Sequence, residues 1–433
     1  MQAQRLSCYA AALCVAAAWL AGCGGSQPQI GTPGAISQSP AITRRVQRPA
    51  LSLAPGNSTD GTFPATRLVP VNGTLYGTTK RGGAYCDKKH TLFAGCGTVF
   101  SITTSGTETV LHSFGKGSDG RGPSSMIGLD GVLYGTTLGG GVYGKGIVFS
   151  ITTGGDEHVL YSFRKKPDAN YPGGLTNVHG TLYGTSGGGT YNLGTVFSVT
   201  KSGVEQVVHS FGQGCGASCD GGSFPQGRLL EVGGQLYGTT GKGGTANEGV
   251  VFSMSETGAT EALYSFSFGQ KGQSVGANGG LIDVDGVLYG TTATGGTFSE
   301  GTIFSVTTSG IGQVLHNFSG DCKRRIDGAL PLAPLIDVNG TLYGTTDEGG
   351  NPLNCYYYEG TGTVFTATPS GKVKVVHSFG KGTSAYDGSS PETALTKVHG
   401  ILYGATVEGG PCGRGTVFSI TLSGTEKVLH SFC

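Results

Sequence analysis

The stretch VNGTLYGTT, Val71–Thr79, is the first of seven exact or variant copies of one motif in this chain. LDGVLYGTT ends at Thr137, VDGVLYGTT at Thr292 and VNGTLYGTT again at Thr346; the looser copies are VHGTLYGTS, VGGQLYGTT and VHGILYGAT. A fixed repeat constrains the fold more than composition does, because each unit must bury its apolar surface against its neighbours. The central tyrosines are Tyr76, Tyr134, Tyr183, Tyr237, Tyr289, Tyr343 and Tyr403, at spacings of 58, 49, 54, 52, 54 and 60 residues. A period near 54 is too long for a leucine-rich or β-helix coil and fits the four-stranded blade of a propeller.

The last unit predicts the strands. Ala394–Val398 is the first, and His399-Gly400 is a two-residue turn. Asn72-Gly73, Asp130-Gly131, Asp285-Gly286 and Asn339-Gly340 repeat that turn, and such pairs are the strongest short hairpin signal because both central residues need positive φ. Ile401–Thr406, Thr416–Thr421 and Lys427–Phe432 are the second, third and fourth strands. No segment shows a helical period. Both faces of TVFSIT are mild to apolar, as a blade covered on both sides requires. The small residues after the tyrosine suit the tapering inner part of a propeller. The expected fold is therefore all-β: a seven-bladed, kelch-like β-propeller of four-stranded antiparallel blades, with another β-repeat solenoid as the alternative. The closure of the ring stays open, since Ala50–Leu53 could act as an additional strand or trade places with the C-terminal one.

Composition agrees with many tight turns: 82 of 433 residues are glycine, without a collagen period. A net charge of +1 gives no electrostatic case for nucleic acid or an anionic membrane surface. Residues 1–23 read as a leader, with Arg5 before the apolar run Leu6–Leu20. Leu20-Ala21-Gly22-Cys23 resembles the lipobox of bacterial lipoproteins, which implies cleavage before Cys23 and lipidation of its thiol. Each buried acyl CH₂ contributes about 0.8 kcal/mol to such an anchor. Gly24 after the cysteine points that resemblance to the outer membrane, on its periplasmic or surface side. Residues 24–45 read as a flexible tether, and 46–433 as the propeller domain. The one tryptophan, Trp19, falls in the leader.

Eight cysteines remain after Cys8, Cys14 and Cys23, an even number that suggests four disulfides in an exported chain. Nearest-neighbour pairing gives Cys86–Cys96, Cys215–Cys219, Cys322–Cys355 and Cys412–Cys433. Cys215 and Cys219 have a zinc-like spacing, but no second ligand pair stands near them.

The repeat resembles the GloVer tandem repeat of bacterial exported and surface proteins. Its pattern appears as Asp387-Gly388 with Pro391, Leu402–Thr406, Gly409-Gly410, Gly415–Phe418 and Val428–Phe432. The resemblance covers nearly everything from Gly56 onward, although 275–279 lack the aspartate and the proline. It implies a fold and an exported address, and no reaction.

Strand parity predicts a plain face and a loop-rich face, and the loops between strands two and three and between blades share the latter. There an aspartate recurs at Asp60, Asp119, Asp168, Asp220, Asp327 and Asp387. Turn chemistry explains it. A carboxylate ring near the central channel, able to hold calcium or cationic groups, is the functional alternative, though calcium wants more oxygens than one aspartate per loop offers. No other cofactor and no resident metal are expected. The insertion Asp347–Gly362 carries Tyr356, Tyr357 and Tyr358, a contact surface of large area at low entropic cost, and Arg324 and Arg325 add cations on the same face. The histidines and tyrosines at 112, 161, 209, 264, 316, 377 and 430 share one repeat position and read as a hydrogen-bonding aromatic slot between blades. No catalytic triad motif, phosphate loop or HExxH occurs. The chain is therefore expected to be a monomeric lipoprotein that holds a protein or glycan partner, with an enzyme acting on extracellular polysaccharide as the alternative.

Overall fold

The structure is a computed structural model and describes residues 60–85, 96–214, 219, 221–268, 280–319, 327–350, 361–380 and 387–433. The leader, Cys23, the tether and Ala50–Leu53 lie outside the described residues. The described residues form seven antiparallel sheets arranged as a seven-bladed β-propeller, each sheet built from consecutive strands in the order one to four. Blade 7 consists of Thr396–Val398, Ile401–Thr406, Thr416–Thr421 and Glu426–Ser431. In blade 1 the first strand is split into Gly61–Pro64 and Val69–Val71. Among the described residues no helix is long and apolar enough to cross a membrane.

The hairpin turns carry the predicted positive φ. Asn72 and Gly73 have φ of 48° and 80°, and His399 and Gly400 have the same values.

The LYGTT segment recurs for reasons more specific than a tapering core. Its leucine is fully buried in every blade, and its tyrosine is nearly so. Its glycine faces the phenylalanine of the third strand: a Cβ on Gly184 would stand 2.4 Å from Phe197 Cζ, and one on Gly77 2.5 Å from Phe100 Cζ. Only glycine leaves the ring its place. The final threonine ties the strand to the next loop. Thr79, Thr240, Thr292, Thr346 and Thr406 each donate Oγ1–H to a main-chain carbonyl two residues on, at 2.8–2.9 Å.

Blades join through a ladder of phenylalanines. The one that closes each blade stands edge-on against the third-strand phenylalanine of the next: Phe114–Phe149 at 5.1 Å, Phe163–Phe197 at 4.9 Å and Phe211–Phe252 at 5.3 Å between centroids. Phe266–Phe304, Phe318–Phe365 and Phe379–Phe418 continue it, and Phe432–Phe100 completes the circle. Such pairs contribute about 0.5–1.5 kcal/mol each beyond area burial. The ring closes by side-chain packing. Blade 1 is built wholly from N-terminal strands and blade 7 wholly from C-terminal ones, so among the described residues no strand is exchanged. Cys412 and Cys433 form a disulfide that fastens the last strand to a loop of its own blade.

Candidate functional site

The loop-rich face is built from the segments between strands two and three and from the linkers between blades. Two residues beyond the paired glycines, one loop position carries Tyr85, Tyr143, Tyr191 and Phe298 in blades 1, 2, 3 and 5. All four are exposed, Tyr143 at 49% and Tyr191 at 45%. The same position holds Cys412 in blade 7. A second aromatic set sits at the start of the first strands, where Phe63, Tyr171 and Phe224 adopt left-handed φ of 60°, 51° and 57°. Each of these amides donates to a carbonyl of the preceding blade's loop, Phe63 to Arg414 at 2.9 Å and Tyr171 to Lys145 at 3.1 Å. An aromatic residue with positive φ is strained by roughly 1–3 kcal/mol, and here the blade-to-blade hydrogen bond holds it.

Cations stand over these rings. Lys116 lies 5.6 Å from the Tyr85 centroid, Arg164 5.5 Å from Tyr143, Lys145 5.5 Å from Tyr171 and Arg81 5.2 Å from Phe63. This aromatic–cation face is the feature that sequence reasoning missed. Aligning the repeats by their glycine pairs would have revealed the aromatic column.

The recurring aspartates lie elsewhere than a channel ring requires. First strands of blades 1 to 4 line the central cavity, and the described aspartates Asp60, Asp119, Asp168, Asp327 and Asp387 instead reach fourth strands, at the opposite edge of the blade. His112 Nε2 lies 3.0 Å from Asp119 Oδ2, His316 Nε2 2.9 Å from Asp327 Oδ2, and His430 Nε2 3.3 Å from Asp60 Oδ2. Tyr161 donates to Asp168 at 2.9 Å, and His377 approaches Asp387 at 3.8 Å. The aromatic slot is thus the aspartate's partner, and the aspartate also caps its linker. Asp119 accepts the Gly120 amide, and Asp387 accepts that of Gly380 at 3.0 Å.

In four blades a glutamate opening the fourth strand joins this set. Glu108, Glu157, Glu205 and Glu426 are half-buried, and burial first, then the adjacent Asp60, Asp119, Asp168 or Asp387, pushes each carboxyl up to about 7. Ligand atoms of Asp60, Glu108 and His430, and of His112, Asp119 and Glu157, gather within 4.8 Å. One imidazole with two carboxylates suits a first-row divalent ion better than calcium. It equally suits a protonated glutamic acid beside a His–Asp pair.

A further carboxylate cluster lies at the junction of blades 6, 7 and 1. Burial, followed by the neighbouring Glu392, pushes the Asp347 carboxyl up to about 7. Glu392 pairs with Lys80 at 3.0 Å.

Several expected positions lie outside the described residues: Asp220, Arg324, Arg325, Tyr356, Tyr357, Tyr358, Cys86, Cys215, Cys322 and Cys355. Cys219 is disulfide-bonded. Cys96 is buried, with its sulfur 3.5 Å from the Tyr85 carbonyl oxygen.

Solved structures share the fold. Puromycin hydrolase in complex with PGG matches at 13% identity and a TM-score of 0.54, over 87% of this chain and 55% of that one. A puromycin-hydrolysing peptidase of Mycobacterium tuberculosis matches at 12% and 0.52, over 86% and 54%. The extracellular domain of a one-component system from B. thetaiotaomicron matches at 10% and 0.50, over 84% and 38%. The chain thus spans about half the length of the hydrolases it matches, and identities this low establish the architecture alone. No curated protein matches the sequence. The Gloeobacter/Verrucomicrobia repeat profile matches residues 43–185, 123–358 and 225–433, spanning every blade. The chain therefore belongs to the Gloeobacter/Verrucomicrobia repeat family.

Proposed function

We propose that this protein is an exported binding module that holds a protein or glycan partner on its loop-rich face. The carrying observation is the exposed aromatic at one repeat position, Tyr85, Tyr143, Tyr191 and Phe298, with cations over the first two rings. Aromatic and arginine side chains on a rigid scaffold dominate interface energetics. The test is a crosslinked pull-down of the full chain from its native envelope, alongside a glycan array. Tyr143→Ala with Tyr191→Ala should cut retention of the captured partner at least roughly tenfold, the loss of a single hot spot. Equal retention by both proteins, or no specific capture, defeats the reading.

Export is supported by the Cys412–Cys433 disulfide, since such bonds persist in oxidising compartments. Lipidation at Cys23 rests on the leader sequence, and palmitate labelling that disappears in Cys23→Ala tests it.

A second reading, an enzyme acting on polysaccharide, is favoured by one observation. Burial and the adjacent Glu392 push the Asp347 carboxyl up to about 7 while Glu392 pairs with Lys80, and two neighbouring carboxyls in unlike environments suit acid–base chemistry. Polysaccharide turnover abolished by Asp347→Asn would establish it; absence of turnover by the native chain removes it.

A further inference from the structure

The middle of the propeller contains a charge arrangement unrelated to the loop-rich face. First strands of blades 1 to 4 line a cavity of about 540 Å³ that runs from Arg67 and Arg228 to the plain-face turns at Asn72 and Asp130-Gly131. That volume is within the usual range for a small-molecule site. Arg67 and Arg228 occupy the same strand position three blades apart, which puts them on opposing walls. The other blades have Ser125, Gly174, Gly280, Pro334 and Ala394 there, so small residues surround the two guanidinium groups.

The backbone is shaped around this pair. A Cβ on Gly174 would stand 2.7 Å from the Arg228 Cα, and one on Gly280 3.1 Å from the Arg228 carbonyl oxygen. Glycines on both sides thus let the strand bearing Arg228 sit close between its neighbours. Arg67 is oriented by Thr396, whose Oγ1 accepts Arg67 Nε–H at 3.0 Å and donates to the Leu68 carbonyl at 2.6 Å. This uses Nε and leaves the terminal nitrogens of Arg67 for another acceptor.

No carboxylate among the described residues pairs with either arginine. Asp130, the one acid among the described residues lining the cavity, is engaged by Lys201 at 2.7 Å. Glu231, Asp283 and Asp337 stand nearer the plain-face rim, where Glu231 and Asp337 accept the turn amides of Gly234 and Gly340. Both arginine side chains are exposed to the solvent of the cavity, with protein packed densely around it. Burial, and for Arg67 then the charge of Arg228, lowers both guanidinium pKa values. Two like charges facing each other across one cavity attract a counter-ion. Arginine's planar fork matches oxyanions.

We propose that the central cavity binds a compact oxyanion, a carboxylate or phosphoryl group of a small ligand, clamped between Arg67 and Arg228. The acidic rim disfavours extended polyanions and restricts the site to a compact group. The site is independent of the loop-face reading.

The experiment is calorimetric titration of the full chain with inorganic phosphate and, separately, citrate, at constant ionic strength set by chloride. Saturable binding of at least one anion is expected, and Arg67→Gln and Arg228→Gln should each weaken it roughly 10- to 100-fold, the loss of a charge-assisted contact. The tighter anion assigns the phosphoryl or the carboxylate source. Should Arg67→Gln fail to fold because the Thr396 contact joins blades 1 and 7, Arg228→Gln carries the test, since its guanidinium makes no hydrogen bond among the described residues. The Tyr143→Ala, Tyr191→Ala variant should bind the anion unchanged. No saturable binding of either anion, or binding that survives Arg228→Gln, overturns the proposal.

Discussion

Phe432, the penultimate residue, meets Phe100 of the first blade edge-to-face at 5.3 Å between ring centroids. Both rings are fully buried, in a cluster with Leu68, Leu75, Tyr403 and Val417 from the two ends of the chain. This contact repeats the geometry of every other blade junction, so closure uses the same chemistry as propagation.

Removing that ring should therefore cost what an internal junction costs. Phe432→Ala is expected to destabilise by about 3–5 kcal/mol, as is Phe211→Ala. Urea unfolding gives the magnitude. Amide exchange locates the effect, with blades 1 and 7 losing protection first in Phe432→Ala. If Phe432→Ala is near neutral, the ends are not joined by this contact.

Gly184→Ala should lose about 1–3 kcal/mol, because its methyl would overlap the Phe197 ring. Gly154→Ala provides the control, since its nearest neighbour would be Thr152 Oγ1 at 3.6 Å and its φ is not positive. Equal stability of the two variants would show that the LYGTT glycine recurs for some other reason.

The Cys412–Cys433 disulfide closes a loop with a sequence separation of 21 residues. Replacing both cysteines by serine should cost roughly 3 kcal/mol through the unfolded state. Faster exchange should be confined to Glu426–Ser431 and its partner strand. A thermal midpoint unchanged from the native protein would mean that blade 7 is held by packing alone.

Stability should fall as the pH rises through the range from about 4.5 to about 7. Glu108, Glu157, Glu205 and Glu426 bind protons more tightly folded than unfolded, so the folded state holds more protons in that window. Their contribution is fully present below the unfolded value and is lost as each carboxyl ionises. Replacing all four by glutamine should flatten this part of the profile and, after discounting for solvent screening, raise stability at pH 8 by about 1 kcal/mol in total. The difference between the two profiles isolates the glutamates. A parallel pair of profiles contradicts the raised values.

The sequence alone determined the blade. A sevenfold LYGTT segment, Asn-Gly and Asp-Gly turns and a closing phenylalanine dictate four short antiparallel strands per unit, because turn geometry and strand burial are local. It also located the histidine–tyrosine slot, since residues that exchange at one repeat position share one environment. Three features needed the tertiary structure. The aspartates read in sequence as turn residues, with a ring near the channel as the alternative; that the described ones sit against fourth strands follows from their partners His112, Tyr161 and His316. The manner of closure depended on whether Phe432 finds Phe100, which are separated by nearly the whole described chain. Arg67 and Arg228 face one cavity only because a ring of seven blades brings first strands together at its axis. Periodicity reports what each unit buries against its neighbour; which side chains converge across the ring is fixed by the curvature of the whole.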